Sequence, residues 1–395
     1  MKEETSTILG LSSAHLVTDI YMTVIPAVLP YLIAHHDLSY FLAGLLVTIY
    51  NLASSMTQPL FGWLADTRGF MIPLVLSVTG SAVFISLMGF TDSFPLLALC
   101  AGIAALGHGS FHPIGLSCIS RFCTDQNRGR MLSYFVVGGN IGFALGPVLA
   151  GIALAVAGLQ GMALLLLPVL VLVPVLRRIH PDLSSRLNPE NEIHTESPHP
   201  SHWPFLLLMF ASTFRAWGLF GVVAFLPSYM VQLGYPVMSA DLSISFMLIG
   251  GVIGQIAGGR LSDRYGRKEF VLAALGLSIP CFYGFLLLPG IYSLASLLLF
   301  GFWLWSTFSV TVAMSHELLP NNIGLASGSI MGVVVGAGGL GVALNGMLAD
   351  QSSLLTAMMV LPVTIAVSVI LFLVTPYPLK IGRLVAGHLH RHHSI

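Results

Sequence analysis

The sequence carries very little charge. Only 8% of its 395 residues are Asp, Glu, Lys or Arg, and 16 acidic residues balance 16 basic ones. A chain without a basic excess has no electrostatic field to attract nucleic acid, and one without an acidic excess does not attract a cationic partner. Binding to nucleic acid is therefore excluded on these grounds.

Cysteines and catalytic signatures are also scarce. The four cysteines lie in apolar segments without C-x-x-C spacing, which favours packing residues over disulfides or metal ligands. The sequence contains no G-x-S-x-G, H-E-x-x-H or P-loop motif, so we expect neither an enzyme nor a bound cofactor. The longest polar stretch, residues 177–202, is too short for the output module of a receptor.

Apolar residues dominate what is present. They form 55% of the chain, and the mean hydropathy is +0.88, far more than one soluble core could bury. A helix needs about 20 apolar residues to cross a hydrocarbon layer of ~30 Å. The sequence predicts an all-α integral membrane protein with twelve transmembrane helices, near residues 9–34, 39–64, 71–90, 94–120, 130–157, 160–176, 203–232, 238–260, 270–288, 291–315, 323–348 and 353–375.

The proline-rich polar stretch divides these segments into two sets of six. We expect an N-terminal six-helix bundle at 1–176, a cytoplasmic linker at 177–202, a C-terminal six-helix bundle at 203–376 and a His-rich basic tail at 377–395. Every Lys and Arg except Arg215 falls on one face of this twelve-span layout. Because basic loops stay in the cytoplasm, we predict a multi-pass plasma (inner) membrane protein with both termini cytoplasmic.

The two halves repeat a short motif. G-W-L-A-D-T-R-G begins at Gly62, and G-R-L-S-D-R-Y-G begins at Gly259, 197 residues later. Each copy ends the second apolar segment of its half, and spans 5 and 11 are both rich in glycine. Such duplication is typical of carriers whose transport site lies between two bundles.

The paired G-x-L-x-D-x-x-G loops resemble the signature of the major facilitator superfamily, and the resemblance covers essentially the whole chain. It implies two six-helix bundles that rock about a midplane site. It also implies that a charge cluster at the membrane surface holds the cytoplasmic gate shut in the outward-facing state. The matching positions here are Gly62, Asp66, Arg68, Gly69, Gly259, Asp263, Arg264, Gly266 and Arg267.

Several shorter segments resemble the fosmidomycin-resistance proteins within that superfamily. They are H-L-V-T-D-I-Y from residue 15, Y-N-L from 50, Q-P-L from 58, F-H-P from 111 and V-G-G-N from 137. The resemblance implies proton-coupled export of a small phosphonate. Gly142, Gly146 and Pro147 are also similar to the motif of proton-driven drug antiporters. An alternative for these glycines is close helix packing, and the two interpretations are compatible.

Five ionisable residues lie deep in the predicted spans, where charge is costly and usually serves function: His15, Asp19, His108, His112 and Arg215. In the superfamily, spans 1, 4, 7 and 10 line the cavity, and these residues lie on spans 1, 4 and 7. We predict that Asp19 is the proton-coupling carboxylate and that His15 or His112 shares its proton. The alternative is that Asp19 only accepts hydrogen bonds from a neighbouring helix.

Arg215 keeps its charge and can hold an anion with two parallel hydrogen bonds, so we predict that it anchors the substrate. A permanent ion pair with Asp19 is the alternative. His108, Tyr21, Asn140 and Gln58 are predicted to assist in substrate binding, although such polar groups also link helices. His108 and His112 have the spacing of a helical metal site, but no supporting ligand is evident in the sequence, so we predict no metal.

These features predict a secondary active transporter that works as a monomer in the lipid bilayer, with protons and a small molecule as its ligands. A proton-coupled antiporter that exports an anionic drug or metabolite such as fosmidomycin is the first hypothesis. A proton-coupled importer of a small organic anion is the alternative, because it would use the same Arg215.

Overall fold

Long apolar helices make up the protein in the computed structural model, which describes residues 2–68, 70, 72–122, 128–184, 202–320 and 322–379. No strand occurs in those residues, in agreement with the predicted all-α class. Helices suit this composition because a membrane offers no water to satisfy free backbone groups. The elements before residue 200 are α1 Lys2–His36, α2 Tyr40–Arg68, α3 Leu74–Leu87, α4 Phe94–Phe122, α5 Arg128–Ala157 and α6 Leu167–Ser184.

The second half repeats this pattern, with one helix interrupted by a π-helical turn at Ser329–Val333. Its elements are α7 His202–Gln232, α8 Val237–Tyr265, α9 Arg267–Leu287, α10 Gly290–Leu318, α11 Ile323–Gly328, α12 Val334–Gln351 and α13 Leu354–Val374. The π-helical turn joins α11 to α12, so these two elements occupy one predicted span.

Ten stretches of the described residues are long and apolar enough to cross a membrane, and Leu74–Phe90 is a shorter apolar helix. One stretch, Met131–Arg177, has 47 residues and contains both α5 and α6, joined by a 3₁₀ segment at Gly158–Leu166. A single helix of that length would measure about 70 Å, more than twice the hydrocarbon thickness. Counted as two spans, it raises the number in the described residues to eleven. With the shorter helix Leu74–Phe90 as a further span, the helices are consistent with the predicted twelve.

Parts of the predicted layout lie outside the described residues. These are Gly69, Cys123, residues 185–201 of the linker and residues 380–395 of the tail. Cys100, Cys118 and Cys281 are free thiols, and the first two are buried.

By its internal packing the chain forms two units. Unit 1 contains Met1–Ile193, Phe220–Ser245 and Val335–Met358, and unit 2 contains His194–Leu219, Phe246–Val334 and Met359–Ile395. Unit 1 therefore joins the predicted first bundle to parts of four helices from the second half: the end of α7, the start of α8, nearly all of α12 and the start of α13.

In unit 1, a glycine stripe on α5 lies directly against α1. A Cβ atom added at Gly138, Gly142 or Gly146 would overlap the carbonyl oxygen of Ser12, Leu16 or Ile20, respectively. The three glycines of α5 and the three residues of α1 that they contact each recur every four positions. The glycines therefore form one face of α5, and this face packs along one ridge of α1. The glycines of the antiporter-like motif thus pack two helices together, as the alternative interpretation expects.

At another helix end in unit 1, Asp350 of α12 contacts the first turn of α2. Its carboxylate oxygens accept hydrogen bonds from the backbone N–H groups of Tyr40 (2.7 Å) and Phe41 (2.8 Å). The first N–H groups of a helix have no partner within it, and the positive end of the helix dipole favours an anion there. Asp350 therefore caps α2 from the other half of the sequence.

In unit 2, α8 packs on α10 through a second glycine stripe, formed by Gly250, Gly254 and Gly258. The helices α8 and α9 are separated by a single residue, Gly266, whose φ of 105° is accessible to glycine but strained for other residues. The second motif copy places its final glycine at this turn.

Lys268 anchors the end of α13 in unit 2. Its ammonium group donates to the carbonyl oxygens of Leu373 (2.9 Å) and Thr375 (2.8 Å), and the residue is only 8% exposed. A cation that satisfies the last carbonyls of a helix also offsets the negative end of its dipole.

We expect Lys268→Met to destabilise the protein by about 1.5–3 kcal/mol, because hydrogen bonds to a charged group carry that much free energy. Thermal unfolding in detergent would measure the change. Lys268→Arg is the matched control, since it keeps the charge and the donors, and it should lose less. Equal losses in the two variants would show that packing of the lysine stem, and not the cap, is the main contribution.

Candidate functional site

Two helices of unit 1 bring three ionisable side chains together. His15 and Asp19 lie one turn apart on α1, and His112 reaches them from α4. The Nε2 atom of His15 is 3.2 Å from Oδ2 of Asp19, and the Nε2 atom of His112 is 3.5 Å from Oδ1. The carboxylate therefore lies between two imidazoles, and we call these three residues the His–Asp–His cluster.

The backbone determines which ring nitrogen of each histidine faces Asp19. The Nδ1 atom of His15 lies 2.8 Å from the carbonyl oxygen of Phe135, and that of His112 lies 3.1 Å from the carbonyl oxygen of His108. A carbonyl can only accept a hydrogen bond, so both Nδ1 atoms must carry hydrogen. Each neutral imidazole then presents the lone pair of Nε2 to a carboxylate oxygen.

This arrangement has room for two protons. If Asp19 is ionised and both histidines are neutral, a lone pair of Nε2 faces a lone pair of a carboxylate oxygen in each of the two contacts. A proton between Nε2 and the carboxylate converts such a contact into a charge-assisted hydrogen bond. One added proton satisfies one contact and a second proton satisfies the other, so the occupancy of the cluster can change in single steps.

The surroundings of the cluster are mostly apolar. The side chains of His15, Asp19 and His112 are 9%, 13% and 15% exposed, so a narrow access remains. The ring of His15 stacks on Phe135 with 4.0 Å between centroids. On the α5 side, a Cβ atom at Gly139 would contact both His15 and Asp19, which shows that glycine provides the space the cluster occupies.

His108 lies beside the cluster. Its ring centroid is 4.6 Å from that of His112 and 5.7 Å from that of Tyr50. The Nδ1 atom of His108 and the hydroxyl of Tyr50 are buried without a hydrogen-bond partner in the described residues. These two groups can accept or donate hydrogen bonds to an incoming ligand or water.

Arg215 lies on α7 in unit 2 and is only 2% exposed. Its guanidinium carbon is 5.5 Å above the ring of Phe308, and its Nε atom has no hydrogen-bond partner. Within the described residues of unit 2, no carboxylate pairs with it. A buried guanidinium with an unpaired N–H group can donate a hydrogen bond to an anion.

The other residues that were predicted to assist in substrate binding, Tyr21, Asn140 and Gln58, lie in different parts of unit 1. Tyr21 is fully buried and donates its hydroxyl to the carbonyl oxygen of Leu165 at 2.8 Å, a link between α1 and the 3₁₀ segment before α6. Asn140 and Gln58 are partly buried. Asn140 lies next to Gly139 on α5, near the cluster, whereas Gln58 lies in the second half of α2.

The second gating motif forms a charged cavity of 280 Å³ in unit 2, lined by Asp263, Gly266, Arg267, Glu317 and Tyr377 among others. Arg267 lies 3.8 Å from Asp263 and 3.2 Å from Glu317, and Tyr377 donates to Glu317.

The contact between Arg267 and Glu317 joins α9 to α10 and was not predicted from the sequence. Of the other predicted gate residues, Arg264 is exposed with its guanidinium 5.3 Å from the Tyr265 ring, and Gly259 and Gly62 lie on α8 and α2. Arg68 ends α2, 5.5 Å from the Trp63 ring, while the side chain of Asp66 is not described.

Asp241 is a buried carboxylate that the sequence analysis missed. It lies in the second turn of α8, is 0% exposed, and neither of its oxygens has a hydrogen-bond partner in the described residues. The signal was present, because residue 241 falls inside the predicted span 238–260 and charged residues are rare there.

Comparison with known proteins agrees with this architecture. Residues 11–341 match the family model of the Major Facilitator Superfamily. The chain is 30% identical over 364 residues to the fosmidomycin resistance protein of Escherichia coli K12, covering 88% of this chain and 87% of that protein. It is 29% identical over 378 residues to the uncharacterized MFS-type transporter YfnC of Bacillus subtilis, covering 91% and 90%.

The fold also matches a solved structure. A bacterial homolog of the human lysosomal transporter Spinster, in an inward-facing and occupied conformation, superimposes with a TM-score of 0.75 and covers 93% of this chain and 96% of its own. At 16% identity this likeness concerns the fold alone. Together with the family match and the apolar helices, it confirms the predicted fold class: the chain is a multi-pass membrane protein that belongs to the major facilitator superfamily of transporters.

Proposed function

We propose that the protein is a proton-coupled antiporter that exports a small anionic compound, such as fosmidomycin, across the plasma (inner) membrane. The His–Asp–His cluster is the observation that carries this proposal. It places a carboxylate between two imidazoles in a mostly buried site, and groups of this kind can bind and release protons during a transport cycle. The relative from Escherichia coli, whose name states resistance to fosmidomycin, supports the choice of an anionic drug.

Protons would bind to the His–Asp–His cluster one at a time, one for each contact between an imidazole and the carboxylate. A proton entering from the acidic side satisfies one contact between an imidazole and Asp19, and a second proton satisfies the other. Release towards the cytoplasm restores the ionised carboxylate. Because each state has a different net charge, the cluster can favour different conformations of the carrier in its loaded and empty states.

Arg215 would supply the anion site. Its guanidinium can bind phosphonate or carboxylate oxygens with two parallel hydrogen bonds, and desolvation strengthens such pairs. In unit 1, His108 and Tyr50, whose polar atoms have no partner in the described residues, are separate candidates for neutral hydrogen bonds to a ligand. We keep Asn140, Gln58 and Tyr21 as secondary candidates. Tyr21 is the weakest of them because its hydroxyl already has an acceptor.

Transport would follow alternating access, in which the bundles at 1–176 and 203–376 rock about the site between them. The two motif loops would bias the equilibrium from the cytoplasmic side, where both termini are placed by the distribution of basic residues. One chain contains both repeats, so a monomer suffices.

Drug uptake into inverted membrane vesicles tests this function. An acid interior should drive labelled fosmidomycin into vesicles that contain the wild-type protein. An ionophore that collapses the pH gradient should stop the uptake, and vesicles without the protein serve as the control. Uptake only into right-side-out vesicles in acid medium would instead support the alternative, a proton-coupled importer of organic anions.

A further inference from the structure

The carboxylate of Asp241, which the proposed transport site does not include, lies at a contact between two helix ends. We propose that Asp241 is a second protonation site of the transporter, and that the α5–α8 contact forms only when this carboxyl group carries a proton. The ligand of the site is the proton itself, and its function is to link the pH on the non-cytoplasmic side to closure of the protein on that side.

The first argument is the degree of burial. Asp241 is completely buried, and both oxygens lack a hydrogen-bond partner among the described residues. An ionised carboxylate in such a place would lose its hydration without compensation, and this is why buried carboxyl groups either find partners or become neutral. The protein as we observe it therefore holds Asp241 in the protonated form.

The second argument is what covers the group. A Cβ atom at Gly151 of α5 would lie 2.9 Å from Oδ2 of Asp241 and 2.8 Å from the sulfur of Met238. Gly151 thus lies directly on the carboxyl group, and any bulkier residue would displace it. Because α5 forms the cover, separating the ends of α5 and α8 would expose Asp241 to water.

The two helices that form the contact bring no charged partner to Asp241. Between Met131 and Ala157, α5 has no ionisable side chain except Tyr134, and the next charged residue of α8 after Asp241 is Arg260, about five turns away. The Asp241 carboxyl is therefore buried at a contact to which neither α5 nor the neighbouring turns of α8 bring a charged side chain. Its protonation state therefore depends on whether the contact is closed and on the pH of the water that reaches it when open.

The location of the contact determines which side the proton comes from. Asp241 lies near the start of α8, and Gly151 lies near the end of α5. Both helix ends are on the face without basic residues, which we predict to be non-cytoplasmic. Asp350 caps α2 on the same face. Closure there therefore requires that Asp350 accepts hydrogen bonds as a carboxylate and that the carboxyl group of Asp241 is neutral. An acidic exterior then favours closure of the protein on its non-cytoplasmic side and so promotes the return of the carrier to the inward-facing state.

Cysteine labelling tests this proposal without any substrate, so it can fail or succeed independently of the proposed export function. Met238→Cys is introduced into a chain whose native cysteines are replaced by serine, and labelling by a membrane-impermeant maleimide is measured between pH 5 and pH 8. The same reporter is placed in Asp241→Asn, which mimics the protonated carboxyl. The ratio of the two labelling rates cancels the pH dependence of the thiol itself.

The ratio of rates, wild type over Asp241→Asn, should rise with pH by up to tenfold per unit, the slope for one linked proton. Asp92→Asn, an exposed carboxylate changed in the same way, should follow the wild type. A ratio that stays constant across the range would overturn the proposal. Far-UV circular dichroism and thermal unfolding show whether Asp241→Asn is folded, and a second reporter at Ser239→Cys, which is partly buried on α8, repeats the measurement if Met238→Cys reacts too slowly.

Discussion

In vesicles, Asp19→Asn should abolish drug accumulation driven by a pH gradient while exchange of labelled for unlabelled drug continues. The amide keeps the shape of the carboxylate but can neither take up nor release a proton at neutral pH. A gradient of one pH unit supplies about 1.4 kcal/mol for each coupled proton, enough for a roughly tenfold accumulation. The variant should lose this factor and reach only the external drug concentration.

Exchange of labelled for unlabelled drug distinguishes a loss of proton coupling from a loss of drug binding. It needs the substrate site and the rocking motion but no proton gradient, so its survival shows that the variant is folded and can carry the drug. Asp92→Asn is the matched control, since it makes the same chemical change at an exposed carboxylate and should transport like the wild type. If Asp19→Asn still accumulates drug tenfold, the His–Asp–His cluster does not couple transport to protons.

Arg215→Gln should have a comparably large effect on substrate binding. Removing one partner of a desolvated charge pair costs about 2–5 kcal/mol, which raises the Kd by about thirtyfold or more. Arg215→Lys should recover part of this loss, because an ammonium keeps the charge but not the two-pronged geometry. Isothermal titration with fosmidomycin in detergent would measure the three Kd values.

The stability of the ligand-free protein provides a second result for Arg215. No ion pair to this buried cation occurs within the described residues of unit 2, so no carboxylate of that unit offsets its desolvation before substrate arrives. Arg215→Gln should therefore unfold at the same temperature as the wild type or at a higher one. A substantially lower Tm would indicate that Arg215 is part of an internal ion pair and has a structural role.

The helical architecture could be predicted from the sequence because it depends on local composition. Apolar length, the polar stretch at 177–202 and the one-sided basic residues define spans and loops without knowledge of contacts. The pairing of His15 with Asp19 was also predictable, since residues four apart share a helix face.

Contacts between helices were predicted only in part: the sequence offered His112 as one of two partners for Asp19 but not the geometry of the contact. The approach of His112 to Asp19 depends on how α1 and α4 are rotated, and the link from Tyr21 to Leu165 depends on the turn before α6. Likewise, the burial of Asp241 results from its position under Gly151. Helix rotation is set by packing along whole interfaces, such as the glycine stripe of α5 on α1, and a single sequence does not specify it.

Proton release on substrate binding is the most direct test of the central claim, that one carrier binds protons and an anionic drug in alternation. Purified protein in weakly buffered detergent solution is mixed with fosmidomycin while a pH indicator is followed. The wild type should release protons in proportion to the drug bound, and Asp19→Asn should bind drug without releasing any. Proton uptake by the wild type, or binding without any pH change, would contradict antiport.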